Sequence, residues 1–234
     1  MDLSAFLDTA SIALAAISVW AIPVLLAITL HEVAHGWTAR YFGDHTAQLL
    51  GRLSLNPLRH IDPLGTVMVP GALLLAFGFP LFGWAKPVPV ETSGLRHPRR
   101  TSIMVALAGP AANILMAALW GGVLAAVLQV RRGQTLNSWV LLLDSWVLLM
   151  AQAGIKLNAV LAVFNLLPIP PLDGGRVLVG LLPARLGARL EKIAPAGMFI
   201  VVGLAVLGLL GWLFRPTYRA AGQLIHVLGI GLSA

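Results

Sequence analysis

Cysteine is missing from this chain, which removes disulfides and thiolate metal ligands at once. Any metal must then be held by His, Asp or Glu. Charge is also scarce. Lys, Arg, Asp and Glu make up 11% of the 234 residues, whereas an ordinary soluble domain carries about 25%. Hydrophobic residues make up 58%, and the mean hydropathy is +0.87. Too few polar residues remain to cover a soluble fold, so most of the exterior must meet lipid. Acidic residues are the scarcer sign, 9 against 16 Lys and Arg, for a net charge of +7. The cations lie between apolar segments, where they set topology and meet lipid headgroups, so the surplus does not point to nucleic acid. The amino terminus lacks the basic start of a secretory signal. Asp2 and Asp8 stand there instead, and the apolar run continues straight to His31, as expected of a retained helix. There is no internal repeat and no low-complexity tail. The expected organisation is a single membrane domain over 1–234, with a core at 10–183 and C-terminal helices at 194–234, leaving no room for an appended soluble domain.

What is present is a series of apolar segments. Ala10–Leu30 is long enough to span a bilayer at about 1.5 Å per residue. Its helix is expected to continue through His35 to about Phe42 and stop at Gly43, with Pro23 a candidate kink. Leu64–Gly83 is apolar but broken by Pro70, Gly71, Gly78 and Pro80. Thr101–Val130 and Trp139–Leu167 predict two long helices, the second stopped by Pro168, Pro170 and Pro171. Ala194–Phe214 predicts a fifth segment and Ala220–Leu232 a short sixth. The fold class is an all-α integral membrane protein, a helix bundle of about 4–6 membrane segments. One stretch differs. After Trp84 come Ala85, Lys86, Pro87, Val88, Pro89 and Val90, where two prolines rule out helix interior and alternating valines suit an extended edge strand. A proline-rich interfacial loop is the alternative.

The chemistry lies in His31-Glu32-Val33-Ala34-His35, at the end of the first apolar run. Ionisable groups in hydrocarbon cost on the order of 2.5–3.5 kcal/mol each unless partnered. Residues i and i+4 share a helix face, so both imidazoles can reach one ion. Glu32 is turned by about 100° from His31 and can reach a water activated by that ion without being a ligand itself. Zinc suits three protein ligands of nitrogen and oxygen, although two His and one Asp also accept iron or cobalt. Asp173 is the candidate third ligand. It follows the proline break, and Gly174 and Gly175 let the backbone turn and approach closely. Its alternative role is as N-cap of the next helix.

These motifs together resemble the site-2 protease family of intramembrane zinc metalloproteases, peptidase family M50. The resemblance runs over roughly Ile22 to Gly180 and rests on three elements in order. The first is the His31–His35 motif. The second is Ala108-Gly109-Pro110-Ala111-Ala112-Asn113. The third joins Asn165 and Pro168 to Asp173 and Gly174. Gly51–Pro63 and Gly83–Val90 look like the small bacterial subgroup without PDZ or CBS domains. The resemblance implies one Zn2+ held by His31, His35 and Asp173, with Glu32 as the general base. Asn165 and Asn113 are implied as polar catalytic helpers near the substrate. The alternatives are helix-end capping for Asn165 and interhelical glue for Asn113. The segment Ala85–Val90 would accept the unwound substrate by strand addition. The implied activity is cleavage of transmembrane-helix protein substrates within the lipid bilayer.

Topology follows from the shared ion. His35 and Asp173 must reach the same membrane face, so an odd number of crossings separates their helices. Thr101–Val130 is one, and Leu64–Gly83 is therefore expected to be re-entrant or half-inserted. The charge distribution favours an amino terminus outside and an active site toward the cytosol, in a bacterial plasma membrane. His45, His60, His97 and His226 read as loop or interface residues. Two other classes remain open on sequence alone: a membrane metal-binding or transport protein, and an inactive scaffold that binds helices.

Overall fold

Long apolar runs with little internal charge fold as long helices, because in lipid each backbone N–H and C=O must be bonded within its own segment. A computed structural model describes residues 3–69, 85–92, 94–131 and 138–231 of the chain. The first helix, α1 (Leu3–Tyr41), begins earlier than the apolar run predicts and ends where expected, at Gly43 with its φ of 102°. A short helix α2 (Thr46–Leu49) follows. Pro57–Arg59 forms a 3-10 turn, and Pro63–Met68 forms a wide helical turn capped by Asp62, whose carboxylate accepts the Gly65 N–H at 2.7 Å. The two other long helices are α3 (Pro98–Arg131) and α4 (Ser138–Asn165). Pro23 and Pro110 lie inside α1 and α3 without ending either helix.

The rest of the chain is shorter helices: α5 (Asp173–Leu181), α6 (Ala184–Glu191), α7 (Ala194–Val206) and α8 (Leu209–Gly231). Here the expected boundary moves. The break falls at Leu207-Gly208, where Gly208 takes a φ of 72° and α7 and α8 bend by 75°. Pro216 lies inside α8 instead of ending a helix before it. An apolar run hides such a break, because a glycine that turns the chain reads the same as one that fills a helix.

Among the described residues, three helices are long and apolar enough to cross a membrane: Leu14–Tyr41, Pro98–Arg131 and Val140–Asn165. The bent pair makes a fourth if counted as one span. The protein is thus an all-helical membrane protein with three or four such spans. Most of the segment expected to be re-entrant, residues 70–84, lies outside the described residues, as does Trp84. Ala85–Val90 is non-helical, and no strand occurs among the described residues.

Helix α3 is the hub. It packs on α1, α4, α5 and α8, and α1 also contacts α4. One core cluster joins Leu124, Ala151, Ile155 and Ala221 at one end of the bundle. There Arg131 forms an ion pair with Asp144 and bonds the Ser145 hydroxyl at 3.0 Å, closing the α3–α4 hairpin. A second cluster, Leu172, Val201, Leu210 and Phe214, packs with Phe164, Leu167 and Ile169 behind the turn that leads into α5. That turn is therefore wedged between α4, α7 and α8 and holds a fixed position.

Asp44 ties the extended segment to the end of α1. It is only 4% exposed, and its carboxylate accepts the Thr46 N–H at 2.9 Å and the Glu91 N–H at 2.6 Å. Burial alone would raise its pKa. The bonds from Thr46 and Glu91, with His45 nearby, outweigh burial and hold the group below its ordinary value. A carboxylate depressed on folding stabilises fully above its unfolded pKa of about 3.9, and that stabilisation is lost as pH falls through the lower folded value. Segment 85–92 should therefore stay anchored at neutral pH and loosen only below about pH 4. Asp44→Ala should loosen it at neutral pH by about 1.5–3 kcal/mol, the usual worth of bonds to a charged group. Amide exchange at Glu91 measures this, and unchanged protection in the variant would contradict it.

Candidate metal centre

The sequence places two imidazoles one helical turn apart, and the fold adds a carboxylate from a distant segment. The Nε2 atoms of His31 and His35 lie 3.1 Å apart, and each is 3.3 Å from Asp173 Oδ2. These three ligand atoms form the His/Asp/Glu cluster with metal-binding geometry among the described residues. Asp173 is the first residue of α5, and Leu172 occupies the N-cap position without a side-chain bond. The Asp173 carboxylate thus points to the histidines and does not cap its helix.

The far side of each ring fixes its tautomer. His35 Nδ1 lies 2.7 Å from the Val105 carbonyl, which can only accept, so the ring proton sits on Nδ1. His31 Nδ1 lies 2.7 Å from Asn113 Oδ1. Both Nε2 atoms are then left with lone pairs, facing each other and a carboxylate oxygen that is buried with no hydrogen-bond donor. Three acceptors crowded together repel one another unless a cation lies among them. Two ligands of a tetrahedral zinc at about 2.0–2.1 Å stand roughly 3.3–3.4 Å apart. The observed edges of 3.1, 3.3 and 3.3 Å match one face of that tetrahedron. The donor set fits a divalent metal.

Space at this point depends on Gly109. A Cβ there would come within 2.5 Å of His31 Cε1 and His35 Nε2. The Ala-Gly-Pro element of α3 is thus the surface on which both rings lie. Gly36 does the same for the other side of α1, where a Cβ would clash with Leu53 and meet Val88 Cγ1 at 2.9 Å.

Glu32 lies outside the three-atom cluster, and its Oε2 accepts the Val88 N–H at 2.8 Å. The structure thereby brings Ala85–Val90 against the metal-binding helix. A second amide of the segment is committed too. Lys86 N–H donates to the His60 carbonyl at 2.9 Å, and Pro87 and Pro89 have no N–H. Arg52 donates to the carbonyls of Lys86 and Pro87, at 2.8 and 3.3 Å. The expected edge strand is replaced by a segment anchored through side chains and loop carbonyls. His60, 1% exposed, donates to the Ser54 carbonyl at 2.7 Å and so holds this same loop.

Asn165 ends α4 and donates to the carbonyl of Leu161 at 3.0 Å. Its amide nitrogen is bound to its own helix, and the structure does not bring it into the cluster. Sequence reasoning missed Asn158, which is fully buried and lies 2.9 Å from the Asn113 amide. An amide in the middle of an apolar helix is the only signal it carries, since Asn158 belongs to none of the three motifs.

The model of peptidase family M50 matches residues 124–209. A Bacillus subtilis (strain 168) protein named "Putative zinc metalloprotease YwhC" is 36% identical over 199 residues, covering 85% of each chain. "Putative zinc metalloprotease Rip2" of Mycobacterium tuberculosis (strain H37Rv) is 34% identical over 203 residues, covering 83% of this chain and 69% of its own. Its namesake from Mycolicibacterium smegmatis is 33% identical over 199 residues, with the same coverages. No solved structure matches. A bundle of apolar helices around a buried His-His-Asp site defines a membrane-embedded metalloprotease. The chain belongs to peptidase family M50.

Gly109→Ala tests the centre without touching a ligand. Alanine favours helix over glycine by about 1 kcal/mol, so α3 should form as before. Metal affinity should fall by roughly tenfold or more as the rings are pushed apart. Competition with a chelator, alongside circular dichroism, measures both. Unchanged affinity would mean that the rings do not lie on Gly109.

Proposed function

We propose that this protein hydrolyses peptide bonds in or near transmembrane segments of membrane-protein substrates, with one zinc ion held by His31, His35 and Asp173. The observation that carries the reading is the convergence of three acceptor atoms, two of them on buried residues, next to Glu32. Zinc held by His31, His35 and Asp173 would supply Lewis acidity toward a peptide carbonyl and toward water. Glu32 accepts a proton from the attacking water and delivers it to the leaving amine. The Val88 N–H orients the Glu32 carboxylate. Ala85–Val90 lines the substrate path. Among its described backbone groups, those of Pro89 and Val90 have no recorded partner and are available to an unwound peptide. The Asn165 amide N–H would leave the Leu161 carbonyl and donate to the substrate carbonyl once the peptide is bound.

The ends of α1 and α3 support the re-entrant reading of 64–83. His35 and Val105 meet, so the chain leaves and returns at one end of the bundle. A single full crossing between them would not allow that. His35 lies six residues from the end of α1 at Tyr41, which places the site about 9 Å inside that end. Of the 16 Lys and Arg, three lie in 40–59, four in 86–100 and four in 176–192, at the ends of α1 and α3 near the site, in the loops between them and in the short helices that follow Asp173. The positive-inside rule then puts that end in the cytosol of a bacterial plasma membrane, with the amino terminus outside. A transport path across the bilayer has no comparable support. The long helices α3 and α4 offer few ionisable groups for it: Asp144, near the start of α4, is paired with Arg131 at the end opposite the site, and Lys156 stands alone in the middle of α4.

Purified protein should cleave a single-span model substrate, and chelation should stop it. Glu32→Gln should lower the rate by about 10²–10⁴-fold while zinc remains bound. A variant as active as wild type would remove Glu32 from the mechanism. Cysteines placed at Arg40 and Lys86 should react with an impermeant label from the same side, and labelling from opposite sides would overturn the topology.

A further inference from the structure

Two asparagines that carry no charge stand between the helix hairpin and one metal ligand. The order of their bonds is fixed by the group at the far end. The Gly154 carbonyl can only accept, so the Asn158 amide nitrogen donates to it, at 2.9 Å. Asn158 Oδ1 must then face Asn113, and it accepts the Asn113 amide N–H at 2.9 Å. Asn113 Oδ1 is thereby turned to His31 Nδ1, 2.7 Å away. Each link leaves the next no choice of orientation. Both asparagines are 0% exposed, so no water can substitute for either partner. The relay crosses three helices, from α4 through α3 to α1. Its first link is seated by close helix contact, because the Trp120 ring of α3 lies against Gly154, where any Cβ would clash.

The two histidines differ in this respect. His35 takes its tautomer from a backbone carbonyl, which no side-chain substitution removes. His31 takes its tautomer from Asn113, whose amide could present nitrogen instead of oxygen if it turned over. We propose that Asn158 is the positioning residue that locks Asn113 and so keeps the His31 proton on Nδ1, leaving Nε2 free to bind metal. The proposal rests on the reading of His31 as a ligand. The alternative role for two paired amides in a membrane bundle is simple adhesion between helices. Adhesion predicts lost stability without a change at the His31 ring.

The test is Asn158→Leu in the full chain, with Asn158→Ala as a second variant that leaves room for water. Nitrogen NMR of protein with labelled histidines, free of metal and at a pH high enough that both rings are neutral, reads the tautomer of each ring. Wild type should show His31 protonated at Nδ1, and the variants should show His31 protonated at Nε2 for a substantial share of molecules, with His35 unchanged. Zinc affinity by chelator competition should fall by about 10–100-fold, as for other groups that orient a ligand. Asn158→Asp, neutral in this buried place, can still donate to Gly154 and accept from Asn113, and it should restore the Nδ1 tautomer and most of the affinity. Asp144→Asn weakens the same hairpin at its other end and should change neither readout. An unchanged His31 tautomer, or affinity within twofold of wild type in whichever Asn158 variant folds, would overturn the proposal. If wild type itself bound no zinc, the ligand reading would fail instead, and the two failures would be told apart.

Discussion

Three lone-pair atoms turned toward one point govern this molecule. Left alone they repel, and in a medium of low dielectric that repulsion has little screening. Two come from α1 and one from α5, separated by more than a hundred residues of chain. Everything between must be arranged so that the three can meet. Helix α3 must run away from the site and α4 must return to it. The turn between α4 and α5 must be held from behind, which the cluster around Phe164 and Phe214 does. A site that needs a cation to be stable thus acts as a constraint on topology as well as on chemistry.

The supporting shell shows how a bundle with so few charges positions polar groups. Val105 and Gly154 contribute carbonyls, and Asn113 and Asn158 contribute amides. None carries a charge that must be removed from water. Away from the site, Arg131 is paired with Asp144. In the loops charged groups do the positioning: Arg52 and Asp44 bind a carbonyl and an amide of the segment over Glu32, and the His60 carbonyl accepts the Lys86 N–H.

Much of this was legible in the sequence, and the reasons differ by residue. His31, Glu32 and His35 stood out because ionisable groups in an apolar run demand a partner. Asp173 could be matched to them because prolines end α4 and glycines allow the turn. The end of α1 at Gly43 was likewise marked. Other features left no mark. The Val105 carbonyl belongs to the backbone and has no signature of its own. Asn158 is polar but uncharged, so it did not register against the apolar background. The break at Gly208 sits among leucines that would suit a continuous helix. The valines and prolines of 85–90 suggested a strand, yet a strand needs a neighbouring strand to pair with, and none is present among the described residues. What holds that segment is a set of side chains distant in sequence, and composition does not foretell them.

The bond between Glu32 and the Val88 amide joins two parts of the proposed reaction. A carboxylate held by a backbone N–H is fixed in orientation, since the oxygen that accepts the amide cannot turn without losing it. Moving the segment by one hydrogen-bond length would break that bond and let the carboxylate swing. The aim of the carboxylate is thus a property of the segment's position, and in the proposed reaction a peptide drawn along Ala85–Val90 would help to set it.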